Sequence, residues 1–421
     1  MAETAVVKEL AAMRAEPPVL DPESRRQRVD GLEAIRAIAA LSVVVEHSFS
    51  TGPVIPGFVP PDWLFQTFFS HASVLLFFLL SGYVIGLTTA FPFSAKAARF
   101  YLLKRLARLY PVFLVGLLLG WWVGVGPRSV AEAVGNLLLI GSTEPYFGFG
   151  IYPPLANAAL WTIAYEAVYY VSFLAIWAYR PRWSMLFLAS LIIGALGMPG
   201  IGMPVFLSGW ATGFLFWGGG LWLAWNAERG GALRRPILAW FFLLICVSHM
   251  NPFMYLGIAL FNNKSNWPRV CITDLAFLPV CILIVCDAAG IILARRRQWI
   301  AASFALPAIG LAMFAAIRVS DISKARFLVP LVAFVAAAAL QSVRGDISRA
   351  RWLVWLGGCS YGIYALHLPI TWIFREHFPW DRSPVITASG VVLFFLIVVG
   401  VSYAVESAAK KLFLDPLRGR K

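Results

Sequence analysis

Charge is what this sequence has least of. Of 421 residues, 13% are Asp, Glu, Lys or Arg, while 60% are hydrophobic and the mean hydropathy is +0.76. A soluble domain of this length needs far more charge to cover its surface. Alternation of apolar and polar residues is also lacking. Runs such as ASVLLFFLLSGYVIGLTTA (residues 72–90) are unbroken, which excludes a membrane β-barrel. Helices are then the one way to satisfy the backbone in hydrocarbon. The five cysteines (Cys246, Cys271, Cys281, Cys286 and Cys359) have no CxxC spacing and lie in or beside apolar segments. They read as packing residues, not as metal ligands or a disulfide framework. Residues 1–30 are charged, contain proline and lack an apolar core near the start, so they read as a polar tail rather than a signal peptide. No internal repeat and no separate soluble domain is visible.

What is there is a series of apolar segments, each about the 20 residues a spanning helix needs. They lie near 32–50, 72–91, 109–126, 159–178, 183–198, 206–225, 236–254, 272–293, 299–317, 327–342, 352–373 and 385–409. The segments at 183–198, 299–317 and 327–342 are short or loosely bounded, so the expectation is an all-α polytopic bundle of about 10–12 transmembrane helices around a polar channel. Residues 31–409 form that membrane domain, and 410–421 a basic tail. Lys and Arg gather in alternate loops: 25–28, 96–108, 180–182, 229–235, 295–297, 344–351 and the tail. The first opposite loop, 51–71, has none. This bias predicts both termini in the cytoplasm. The loop 318–326, with Arg318, Lys324 and Arg326, fits least well. The net charge of +14 is read as this topology signal and not as a nucleic-acid surface. Segments 127–158 and 250–271, rich in Pro, Gly and Asn, are expected to cap the opposite end or re-enter the membrane.

Ionisable groups inside such helices are costly and usually face a cavity or a partner. In GLEAIRAIAALSVVVEHSFS (31–50), Arg36 and His47 are eleven residues apart, on nearly one face and roughly 16 Å apart along the axis. Either Arg36 snorkels and His47 sits at the interface, or both face a channel. In FYLLKRLARLYPVFL (100–114), Arg105 and Arg108 leave one face together. They are a basic flank or a phosphate clamp. Glu166 lies in the apolar NAALWTIAYEAVYYVSFLAIW (157–177), one turn beyond Thr162, and needs a cationic partner. In WLGGCSYGIYALHLPI (355–370), Ser360, Tyr364 and His367 form one stripe at i, i+4, i+7. His71, His249 and His377 sit in or near the opposite loops; His249 and His377 have no assigned role, and His71 is a further candidate.

Taken in order, Arg36 with His47, FFLLSGYVIG, RLAR, LWTIAYEAVYY and SYGIYALH resemble the acyltransferase-3 family, integral membrane acyl-CoA-dependent O-acyltransferases. The resemblance runs from residue 31 to about 408. Thr162 stands where the family often has Ser, and the span count exceeds its usual ten or so. The resemblance implies a multi-pass protein of the bacterial inner (cytoplasmic) membrane with no bound cofactor. It would move an acyl group, often acetyl, from acyl-CoA to a hydroxyl of a surface glycan or glycolipid. On that reading Arg36, Arg105 and Arg108 meet the CoA phosphates, and His47 is the general base, an imidazole being able to take a proton near neutral pH. An acyl-histidine relay is the less favoured variant. Glu166 orients His47 or holds a positive group. Thr162, Ser360, Tyr364 and His367 are candidate oxyanion or acceptor contacts. A transporter or lipid-linked glycan flippase is the other class, since it too places polar residues along a membrane cavity.

Overall fold

The computed structural model describes residues 22–51, 53–89, 92–198, 203–231, 235–261, 267–317, 325–381 and 383–418. Each of the twelve apolar segments contains helix. The main helices in chain order are α1 (Pro22–Glu46), α2 (Ser70–Thr88), α3 (Ala95–Val123), the short α4 (Val130–Leu137), α5 (Trp161–Tyr179), α6 (Trp183–Leu196) and α7 (Val205–Asn226). They continue with α8 (Ile237–His249), α9 (Pro252–Phe261), α10 (Leu278–Ala289), α11 (Arg296–Ile317), α12 (Ala325–Leu340), α13 (Arg351–Gly357), α14 (Ser360–His377) and α15 (Pro384–Ala409). Among the described residues, seven continuous stretches are long and apolar enough to cross a membrane, or eight if α13 and α14 count as one. The helices α6 and α12 are apolar but shorter.

Three boundaries differ from the sequence expectation. The helix α1 starts at Pro22, inside the expected tail; residues 1–21 lie outside the described residues. The helix α3 starts at Ala95, where the Ser94 hydroxyl caps the amide of Ala97 (3.2 Å). It runs unbroken through Arg105, Arg108 and Pro111, so the arginines stand within a helix and not on a flank before one. The segment expected as a single span at 352–373 is broken, α13 and α14 meeting at 71°. The break falls at the glycine pair Gly357–Gly358. A side chain at Gly357 would collide with the backbone of Glu33 in α1. Backbone groups freed at the break find partners: Ser360 Oγ donates to Gly357 O (2.8 Å), Lys410 Nζ donates to Gly358 O, and Gly362 N donates to Glu406 Oε2 (3.0 Å). Such pairing is what lets a broken helix persist at membrane depth.

The centre of the bundle is α1, which packs against α2, α10, α13 and α14. Beside it α2 and α7 approach so closely that a Cβ at Gly82 would strike Trp217 O, and one at Gly220 would strike Leu79 O. Small residues at such a seam let two backbones meet, which is how helices associate where lipid supplies no hydrophobic drive. Aromatic rings fill the space between α2, α5 and α7, with Phe78 stacked on Tyr165 at 5.8 Å and Tyr169 against Trp217 at 5.6 Å.

The loops sort to two ends. At one, Glu228 and Arg229 pair with Ile292 and Ile291, and Arg235 bridges to Gly345, so three of the basic loops meet. Arg296 grips the buried Asp287 at 2.6 and 2.8 Å, and Trp240 donates to the same carboxylate. At the other end Ser70 N donates to Glu46, Arg269 N donates to Glu144, and Asn251 donates to Thr273 O. Arg326, from the loop that fits the charge pattern least well, lies at this second end, 3.8 Å from Asp62. Arg318 and Lys324 are outside the described residues. Segment 127–158 supplies α4, a loop and a 3₁₀ turn at Leu155–Leu160, while 250–271 supplies α9.

Candidate active site

Five helices enclose a narrow cavity of about 90 Å³. Its lining takes Arg36 from α1, Arg105 and Arg108 from α3, Thr162 and Glu166 from α5, and Ser360 and Tyr364 from α14. Seven of the nine residues singled out from sequence thus converge on one space. The two that do not line it, His47 and His367, are bonded to each other.

The arginines are positioned by different means. Arg36 is tied to Glu33 at 2.7 Å on its own helix. Arg105 donates through Nη2 to Thr88 Oγ1 at 3.1 Å and lies over the rings of Tyr101 and Tyr170. Its Nε is buried with no partner among the described residues. A buried guanidinium N–H without an acceptor is costly, and an oxygen-rich anion in the cavity would complete it. Tyr361 Oη, donating to Leu109 O at 3.1 Å, ties α14 to α3 beside this group.

Glu166 accepts from Tyr170 Oη at 3.0 Å and lies in the fields of Arg108 and Arg36. No bond joins it to His47 among the described residues. Of the two roles expected for it, holding positive groups is the one this placement supports. Three guanidiniums around one lining carboxylate leave the cavity cationic. Glu166→Gln should therefore tighten binding of an anionic donor by about fivefold, one charge at 4 Å being worth about 1 kcal/mol in water-like surroundings. Calorimetry with a CoA thioester checks this. Unchanged affinity with abolished turnover would instead make the carboxylate a participant in the chemistry.

The far wall of the cavity is Tyr364. Its Oη accepts from Thr162 Oγ1 (3.0 Å) and donates to Ala159 O (3.0 Å). Ser360 Oγ is spent on Gly357 O. The Tyr364 and Ser360 hydroxyl protons, two of those expected to serve an oxyanion or acceptor, are thus directed at main-chain carbonyls. The 3₁₀ turn before α5 is held by Asn157, whose Nδ2 donates to Gly116 O and Ala365 O, both at 2.9 Å. That one amide locks the start of α5 to α3 and α14.

Behind Tyr364 stands the imidazole pair. His47 opens a π-helical turn, His47–Thr51, at the end of α1; such turns are frequent at functional sites. Its Nδ1 is 3.0 Å from Nε2 of His367, with the rings stacked at 5.2 Å between centroids. His367 is fully buried, and its Nδ1 is 2.7 Å from Tyr364 O. A carbonyl only accepts, so His367 Nδ1 carries a proton. Its Nε2 then accepts from His47 Nδ1–H, and the lone pair of neutral His47 is left on Nε2. The bond network selects the tautomer of a base.

Sequence reasoning missed this pairing, because 320 residues separate the two rings and nothing in either helix marks the other. It also missed Arg269, in the loop before α10. The Arg269 guanidinium lies over Trp161 at 5.2 Å and acts electrostatically on His47, His71 and Tyr364. No spacing signal points to it.

Comparison with known proteins fits this geometry. No solved structure matches the chain. Nodulation protein 10 of Rhizobium leguminosarum bv. viciae is 28% identical over 138 residues, 32% of this chain and 33% of that protein, so the match spans about a third of that relative's length. A family model described as an acyltransferase domain matches residues 29–406, which takes in every lining residue named above and both histidines. Over nearly its whole length, then, the chain belongs to the acyltransferase-3 family.

Proposed function

We propose that the protein is a multi-pass O-acyltransferase of the bacterial inner membrane, with both termini in the cytoplasm. It takes an acyl group, acetyl on family grounds, from acyl-CoA at the basic end and delivers it to a hydroxyl of a glycan or glycolipid at the other. The observation that carries this is a single arrangement. Arg36, Arg105 and Arg108 face one carboxylate in a narrow cavity whose far wall, Tyr364, holds the histidine pair. The arginines suit nucleotide phosphates, and the volume of about 90 Å³ suits a thioester arm better than a sugar ring.

The reaction then runs at His47. The acceptor oxygen attacks the thioester carbon while its proton passes to His47 Nε2. The imidazolium that forms keeps its Nδ1–H bond to His367. The C–S bond breaks, and the proton returns from Nε2 to the thiolate sulfur. No net proton is gained or lost, so one imidazole serves both halves.

The test is CoA thiol release and acylated product from purified protein in proteoliposomes, with labelled acetyl-CoA on the basic side and a hydroxylated glycoside opposite. Transfer of label to the glycoside is expected. Movement of an intact glycolipid across the bilayer with no CoA release would place the chain among flippases and overturn the reading.

A further inference from the structure

A second cavity, of about 350 Å³, opens at the His47 end of the bundle. Its size falls in the range of small-molecule sites, about 300–1,000 Å³. Its chemistry is the reverse of the first. The lining includes the carboxylates of Glu46 and Asp274 and the imidazoles of His71 and His249, and it holds no Lys or Arg among the described residues. Phe68, Phe277 and Trp267 supply apolar ring faces.

The polar groups are held in place. His71 Nε2 is 2.9 Å from Asp274 Oδ2, which also accepts from Cys271 N at 3.0 Å. Glu46 Oε2 accepts from Ser70 N at 3.1 Å. Each carboxylate has a second oxygen for which no bond is recorded among the described residues. Trp267 Nε1 is a buried donor with no partner among them. The Cys271 thiol is not a competing nucleophile, since burial, with the Asp274 charge, pushes it up to about 12.

We infer that this cavity is the acceptor subsite and takes a neutral, hydroxyl-rich sugar ring, not an acidic one. The inference rests on the acyl-transfer reading. Glu46 in the cavity wall immediately precedes His47 in the chain, so this cavity opens at the end of α1 that carries the base. Sugar hydroxyls both donate and accept. They donate to the carboxylate oxygens, while a C–H face of the ring covers the aromatic side chains, Trp267 among them. A uronate or phosphate would meet two carboxylates with no Lys or Arg in the lining to offset them, His71 being already paired with Asp274. The opposite signs of the two cavities keep an anionic donor and a neutral acceptor at separate ends.

Saturation-transfer NMR on the full chain in lipid nanodiscs tests this without a donor, using methyl β-D-glucopyranoside and its charged counterpart, methyl β-D-glucuronide. The neutral glycoside should bind at least tenfold more tightly. Trp267→Ala should abolish its signal. Trp267 packs on Gly257, so Glu46→Gln provides a second arm: with one carboxylate gone, glucuronide binding should rise at least threefold. Equal binding of the two glycosides, no binding of the neutral one, or a neutral signal that survives Trp267→Ala overturns the inference. Loss of glycoside binding with CoA release intact would sink the subsite alone. Glycoside binding with no CoA release would instead sink the acyl-transfer reading.

Discussion

His47→Ala should abolish acyl transfer, with a fall of about 10²- to 10⁴-fold in turnover, the usual contribution of a positioned general base. The protein should still insert and accumulate, because His47 is only half-buried and lies in the π turn after α1, not in the packed core. The donor KM should move little, since His47 does not line the arginine cavity. His367→Ala gives a graded companion result. It leaves His47 in place but frees its Nδ1, so neutral His47 can hold its proton on either nitrogen. Turnover should fall less than for His47→Ala, with an altered pH profile and an unchanged donor KM. That split marks His367 as a positioning residue, because a merely structural role would lower stability without moving the pH profile. Full turnover by His47→Ala would remove the imidazole from the chemistry altogether.

The paired substitution Arg105→Ala with Arg108→Ala should cost the donor about 10²- to 10⁴-fold in affinity. Each charge-assisted bond to a phosphate is worth about 1.5–3 kcal/mol, and every 1.4 kcal/mol is about tenfold in affinity. The effect belongs in donor binding and not in acceptor KM, because both residues line the cavity at the basic end. Arg105→Ala alone should cost more than Arg108→Ala. Arg105 carries the buried Nε without a partner and is fixed by Thr88 and two tyrosine rings, so less freedom is lost when it binds. Titration calorimetry with acetyl-CoA on the purified double variant checks this. Unchanged affinity would reduce the pair to a topology signal.

Local chemistry explains what was legible. The helices follow from uninterrupted apolar runs, since hydrocarbon admits no other backbone solution for them. Arg36, Arg105, Arg108 and Glu166 stood out because a charge among leucines and phenylalanines is expensive to keep. The stripe of Ser360, Tyr364 and His367 is a matter of helical period. Sequence also indicated which loops share an end, and Arg235 meeting Gly345 and Arg229 meeting Ile291 agree with that grouping.

What those charges do was decided by contacts between helices far apart in the chain. Glu166 faces the arginines and not His47 because Asn157 ties the start of α5 to α3 and α14, which sets the rotation of that helix. His367 became the partner of His47 because the 71° break at Gly357–Gly358 carries α14 past the end of α1. Arg269 reached the site from a loop with no periodicity to read. By itself the sequence determined the solvent, the elements and which side chains are too costly to be idle, since each is a property of one segment. Only the tertiary structure decided which of them meet, because a hydrogen bond of about 3 Å depends on the rotation, tilt and breaks of two helices at once.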